Sequence, residues 1–93
     1  MKTKAVAREV IYTGRVQGVG FRFNARQIAQ RFSVTGFVRN LADGRVQLIA
    51  AGEAGEVERF LAAVAASMER NIEQALVADA RGEEVFASFE IRE

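Results

Sequence analysis

Twice along the chain the spacing of apolar residues switches from a period near two to a period near 3.6 and back, and few folds accommodate that rhythm. Residues 7–14 (AREVIYTG) set Val10, Ile11, Tyr12 and Thr13 in a row, side chains that favour pleated backbone. Between Phe21 and Phe32 the pattern changes. Ala25, Ile28, Ala29 and Phe32 stand at i, i+3, i+4 and i+7, with Gln27, Gln30 and Arg31 between them, so one helix face is apolar. Residues 36–41 (GFVRNL) alternate again, Ala42-Asp43-Gly44 offers a turn, and residues 45–51 (RVQLIAA) return as the second strand of a hairpin. A second helical stripe follows in Val57, Phe60, Leu61, Val64, Ala65 and Met68. It is preceded by Glu53 and Glu56, which suit the positive end of a helix dipole. Residues 75–79 (ALVAD) read as a short strand and Arg81-Gly82 as a turn. Residues 85–92 (VFASFEIR) alternate, with Val85, Ala87, Phe89 and Ile91 on one face.

The order β-α-β-β-α-β, with an added last strand, predicts an α+β fold: a ferredoxin-like sandwich with an antiparallel sheet, two helices on one face and a short extra C-terminal strand. Its 93 residues amount to a single domain spanning 1–93. In this topology strands one and two run the same way with strand three between them. Their C-terminal ends therefore lie roughly 10 Å apart, two strand spacings. The loop over residues 15–21 leaves the first of these ends. Asn40 sits at the second, on the same side as the inward-facing Val38, and is expected beside the start of the first helix.

Composition removes much chemistry. With no cysteine and no histidine, disulfides, thiolate zinc sites, imidazole metal sites, Ser-His and Cys-His nucleophile pairs and a histidine general base are all excluded. No apolar run approaches the roughly 18 residues that a membrane span requires. The opening MKTKAVAREV lacks the apolar core of a secretory signal, so no membrane association and a cytoplasmic location are expected. A net charge of +1 gives no bulk attraction for nucleic acid. The chain is expected to be a monomer that binds no nucleic acid, and any functional charge must be local.

The local feature is GRVQGVGFR, residues 14–22, between a strand and a helix. The first turn of a helix carries unpaired N–H groups and a partial positive charge. Gly18 and Gly20 permit backbone conformations that turn further N–H groups inward, and such a nest binds anions, phosphate above all. Arg22 adds a full charge on a planar fork that can grip two phosphate oxygens. On the glycines alone, a tight strand-to-helix turn with no ligand is the plainer account. Arg22 is harder to explain as a mere solvated residue, because a cation at a helix N-terminus opposes the dipole by about 0.3–1 kcal/mol unless an anion offsets it. Asn40 alone is accounted for by a hairpin residue bonding its own backbone.

Together, Gly14-Arg15-Val16-Gln17-Gly18-Val19-Gly20-Phe21-Arg22, a helix, and Gly36-Phe37-Val38-Arg39-Asn40 resemble the acylphosphatase family, whose pattern is G-x-V-Q-G-V-x-F/Y-R followed after one helix by G-x-V-x-N. The likeness is specific over residues 10–61, with DGRV at 43–46 also fitting. It implies hydrolysis of the carboxyl–phosphate bond of acyl phosphates, without metal or cofactor. It further implies that the backbone amides of Val16, Gln17, Gly18, Val19, Gly20 and Phe21, with Arg22, hold the phosphate, and that Asn40 orients the attacking water. The partners implied are a small acyl phosphate and phosphate- or sulfate-like anions at the loop. Two departures stand out. The family often has a Gly-Pro pair after the second helix, where this chain reads SMERNIEQALVAD with no proline. Leu41 stands where the family often has threonine.

Two rivals come from other classes. One is a non-catalytic ferredoxin-like module that binds an anion or a protein through the same loop. The other is an RNA binder using Phe37 and Phe86 on the helix-free sheet face, against which the low charge and missing RNA-binding motif count. Arg15, Arg22, Arg26, Arg39 and Arg45 either gather as an electropositive funnel or scatter over the surface. Phe23, Phe32, Phe60, Phe86 and Phe89 are expected mostly in the core.

Overall fold

A computed structural model describes residues 4–82 and 84–93. The elements are β1 (Ala5–Gly14), α1 (Phe21–Ala29), β2 (Val34–Asn40), β3 (Val46–Glu53), α2 (Ala54–Ser67), β4 (Ile72–Asp79) and β5 (Phe89–Arg92). They form one five-stranded sheet in the order β4-β1-β3-β2-β5. β3 pairs antiparallel with both β1 and β2, so β1 and β2 run together with β3 between them, as the sequence order predicts.

The sheet is mixed rather than wholly antiparallel, because β5 pairs parallel with β2. The reason is the route between the last two strands. Beyond β4 at one edge, Ala80, Arg81, Gly82, Glu84 and Phe86 lie against Ala7 and Ile49 on the open face, and Phe86 packs on Phe37 with ring centroids 5.8 Å apart. The chain then enters the far edge running opposite to β4, which is along β2. The strand expected over 85–92 accordingly contracts to Phe89–Arg92, since residues 84–88 bridge and do not pair in the ladder, although Gly36 N–H does donate to Ser88 O at 3.0 Å. Conversely, β4 is longer than the expected 75–79. Its pairing with β1 extends down to Gly14↔Ile72, past an irregularity at Thr13/Gly14. α1 stops at Ala29, not Phe32, because Arg31 and Phe32 donate to Ile28 and Ala29 in the tighter i→i−3 pattern.

One sheet face and the two helices enclose the core. Val10, Tyr12, Val38, Val46, Leu48 and Ala50 from the strands meet Ala25, Ile28 and Ala29 of α1 and Val57, Phe60 and Val64 of α2. Registers align these residues: Val10 and Val38 flank Leu48, and Tyr12 and Asn40 flank Val46. The two acidic residues expected at the second helix start do separate tasks. Glu53 is the N-cap and accepts from the Gly55 N–H. Glu56 accepts from the Ser33 N–H at 2.7 Å and from Arg59, and the Ser33 amide foremost holds its carboxyl below the usual range. On the opposite face, Phe37 is buried beneath Phe86 and the Arg92 guanidinium, which lies 4.3 Å from its ring centroid. Arg92 is itself held by Glu84 and Glu90. The Phe37 platform that an RNA binder would need open is therefore covered. Among the described residues no helix is long and apolar enough to cross a membrane.

Candidate active site

The C-terminal ends of β1 and β2 open onto a cleft of about 200 Å³ lined by Val16, Gly18, Gly20, Phe21, Arg22, Phe23, Asn40 and Ile91. Each wall has a structural cause. Phe21, the first residue of α1, is buried against Tyr12 with ring centroids 4.9 Å apart, and Val16 is buried at the start of the loop. These two anchors fix the ends of the loop, and the glycines absorb the turn between them. Gly18 and Gly20 have φ of 75° and 80°, and an added Cβ at either would meet nothing within 4 Å. Conformation, not space, demands glycine there.

α1 begins without a side-chain cap, since its N-cap is Gly20 in the left-handed region. The amide of Asn24 is the one that reaches back to Gly20 O, at 2.9 Å. The amides of Phe21, Arg22 and Phe23 come before the first intrahelical bond and belong to the unpaired first turn. No acidic residue occupies that turn. The end of the helix facing the cleft thus combines dipole, unpaired N–H groups and the Arg22 cation, with no acidic side chain in its own first turn to offset them. Among the described residues Arg22 makes one bond, from Nη1 to the Arg92 carbonyl at 3.3 Å, which leaves most of its five donors available there. The ion pairs formed among the described residues do not include it.

Asn40 reaches the cleft from β2. It pairs with Val46 and shares the helix-side face with Val38, where the alternation of β2 places it. The hairpin that follows is closed by Asp43, which accepts from the Arg45 N–H at 3.0 Å and Nε at 2.9 Å. The backbone bond foremost holds its carboxyl below the usual range. Gln17 ties this hairpin to the loop: its Nε2 donates to Leu41 O at 2.7 Å and to Arg45 O at 2.9 Å.

Of the eight residues singled out in sequence, six line the cleft: Val16, Gly18, Gly20, Phe21, Arg22 and Asn40. Gln17 instead spends its side chain on the hairpin, and Val19 is exposed at the loop tip. The arginine funnel does not assemble. Arg39 bonds Gln47 on the opposite face, Arg45 pairs with Asp43, and Arg26 borders a separate groove between α1 and β5. Three contributors were not legible. Phe23, expected in the core, is 58% exposed at the cleft mouth, and Ile91 and the Arg92 carbonyl arrive on β5. Phe23 falls outside the stripe formed by Ala25, Ile28 and Ala29, which is the signal that would have placed it outside the core.

A family model described as acylphosphatase matches residues 8–91. The chain belongs to the acylphosphatase family. A curated acylphosphatase from Archaeoglobus fulgidus is 46% identical over 59 residues, covering 63% of this chain and 66% of that one. The aligned stretch therefore spans just under two thirds of that relative's length. The crystal structure of acylphosphatase from Bacillus subtilis matches with a TM-score of 0.82 at 30% identity, over 95% of this chain and 99% of that one. An acylphosphatase from Coxiella burnetii matches with a TM-score of 0.79 at 26% identity, over 95% of this chain and 93% of that one. The departure of this acylphosphatase-family chain after α2 does not sit apart from the loop. Asn71 O of that segment accepts from the Arg15 N–H at 2.9 Å, so the segment after α2 braces the loop's first residue.

Proposed function

We propose that this chain hydrolyses acyl phosphates to a carboxylate and inorganic phosphate. The observation that carries the reading is that Arg22, the capless start of α1 and Asn40 share one cleft in a chain of the acylphosphatase family. The amides of residues 16–21 and the Arg22 fork hold the phosphoryl group. Asn40 holds a water in line with the bond to be broken. Water oxygen bonds to phosphorus, the bond between phosphorus and the bridging oxygen breaks, and that oxygen leaves with its electron pair as the carboxylate. A phosphoryl oxygen takes the water's proton, so the products are a carboxylate and dihydrogen phosphate. The leaving group is good enough that no strong base is required, which suits a chain without histidine. Catalysis is then positioning plus charge stabilisation.

Asn40→Ala tests the assignment in the steady state. Its carboxamide is assigned to water rather than to the phosphoryl group. The variant is therefore expected to lose about a hundredfold in kcat, while competitive inhibition by inorganic phosphate changes less than about twofold. A matching loss of phosphate affinity would assign Asn40 to anion binding instead, and an unchanged kcat would remove it from the reaction.

A further inference from the structure

We infer that Phe23 and Ile91 form the acyl-side wall of the cleft and select acyl phosphates whose acyl group is apolar, aryl or branched aliphatic. The inference rests on the acyl-phosphate reading above. Phe23 follows Arg22 directly at the start of α1 and is 58% exposed, whereas Phe21, one residue before Arg22, is buried on Tyr12. Ile91 comes from a different element, β5, with 38% of its surface exposed. Its register partner is Val38, two residues before Asn40 on the same face. Both apolar side chains line the cleft that holds Arg22 and Asn40.

The substrate's own chemistry makes this wall relevant. In an acyl phosphate only a bridging oxygen and a carbonyl carbon separate phosphorus from the acyl substituent. With the phosphoryl group against the loop and helix start, the substituent must lie within a few ångströms, at the cleft mouth. Two side chains reach that mouth from elements unrelated in sequence, and both are apolar. An aryl or branched aliphatic group covers them and is removed from water together with them. An acetyl group brings a single methyl to that surface and removes less of it from water. A substituent bearing a carboxylate would find apolar surface where it needs donors.

The test compares benzoyl phosphate with acetyl phosphate in wild type, Phe23→Ala, Phe23→Leu and Ile91→Ala. Exposure of Phe23 means its replacement leaves the core intact, and circular dichroism checks folding. In wild type, kcat/KM for benzoyl phosphate is expected to exceed that for acetyl phosphate. In Phe23→Ala the ratio of the two values is expected to fall roughly tenfold, through KM for benzoyl phosphate rather than kcat. Phe23→Leu restores most of the ratio, and Ile91→Ala lowers it in the same direction. A ratio unchanged in both alanine variants, or equal losses on both substrates, overturns the inference while leaving the acyl-phosphate reading intact. A folded wild type that hydrolyses neither substrate overturns that reading and the inference with it.

Discussion

Replacing Arg22 by alanine is expected to lower kcat/KM for acyl phosphate hydrolysis by about a thousandfold in a protein that remains folded. Both halves of that expectation come from the same geometry. The guanidinium stands at a helix start where no acidic residue occupies the first turn, and among the described residues it makes a single 3.3 Å bond, to the Arg92 carbonyl. As a fork beside the phosphoryl group it would bind two oxygens at once and neutralise charge that spreads over them in the transition state. As a structural element it contributes little, because a cation there opposes the helix dipole. Its removal should leave stability unchanged or raise it by about 0.3–1 kcal/mol. Arg22→Lys keeps the charge but loses the planar fork, so it should recover only part of the activity. Thermal unfolding measured alongside hydrolysis checks the pair of effects. An inactive variant that is also unfolded would make Arg22 structural, and an active Arg22→Ala would remove it from catalysis.

The largest effect on stability is expected at Gly36. It lies in the middle of β2 with φ of 141°, opposite Ala50 of β3 and beside Phe89 of β5. A Cβ there would stand 1.9 Å from the Ile49 carbonyl oxygen and 2.8 Å from its carbon. Both are backbone atoms, so no side-chain rotation relieves the clash, and β2 and β3 would have to separate where their ladder carries Val38 and Asn40 into place. Gly36→Ala should therefore destabilise by about 3 kcal/mol or more, lowering Tm by upwards of roughly 12 °C. A loss under about 1 kcal/mol would mean that the strands part easily and that this glycine has some other role. The glycine that opens the second family motif is thus accounted for by strand packing, separately from whatever Asn40 does four residues later.

Much of the candidate cleft is legible in the sequence because six of its lining residues fall in two short stretches and because the strand order follows from periodicity. Alternation in GFVRNL was enough to put Asn40 on the helix side, and the glycine spacing was enough to mark the loop. What escaped was long-range. Gln17 reads as one more loop residue until the hairpin carbonyls of Leu41 and Arg45 are brought beside it. Ile91 and the Arg92 carbonyl reach the cleft only because the chain crosses the open face and joins β2 in parallel. A four-residue strand carries too short an alternation to say which edge it will choose. The full extent of β4 was hidden for a related reason: as an edge strand exposed on both sides, it has no buried stripe to read. Phe23 was misplaced because aromatic residues in a small domain usually enter the core, and here the helical stripe leaves it out.

Hydrolysis of benzoyl phosphate by the wild-type protein in ¹⁸O-labelled water with EDTA present separates attack at phosphorus from attack at the carbonyl carbon. Sustained turnover that EDTA does not slow is expected, with the label in the phosphate, because water attacks phosphorus. No turnover by a demonstrably folded protein would contradict it and leave a phosphate-binding scaffold without the chemistry. Label in the benzoate would contradict it differently, by placing the attack on the carbonyl carbon, where neither the loop nor Arg22 would be stabilising the developing charge.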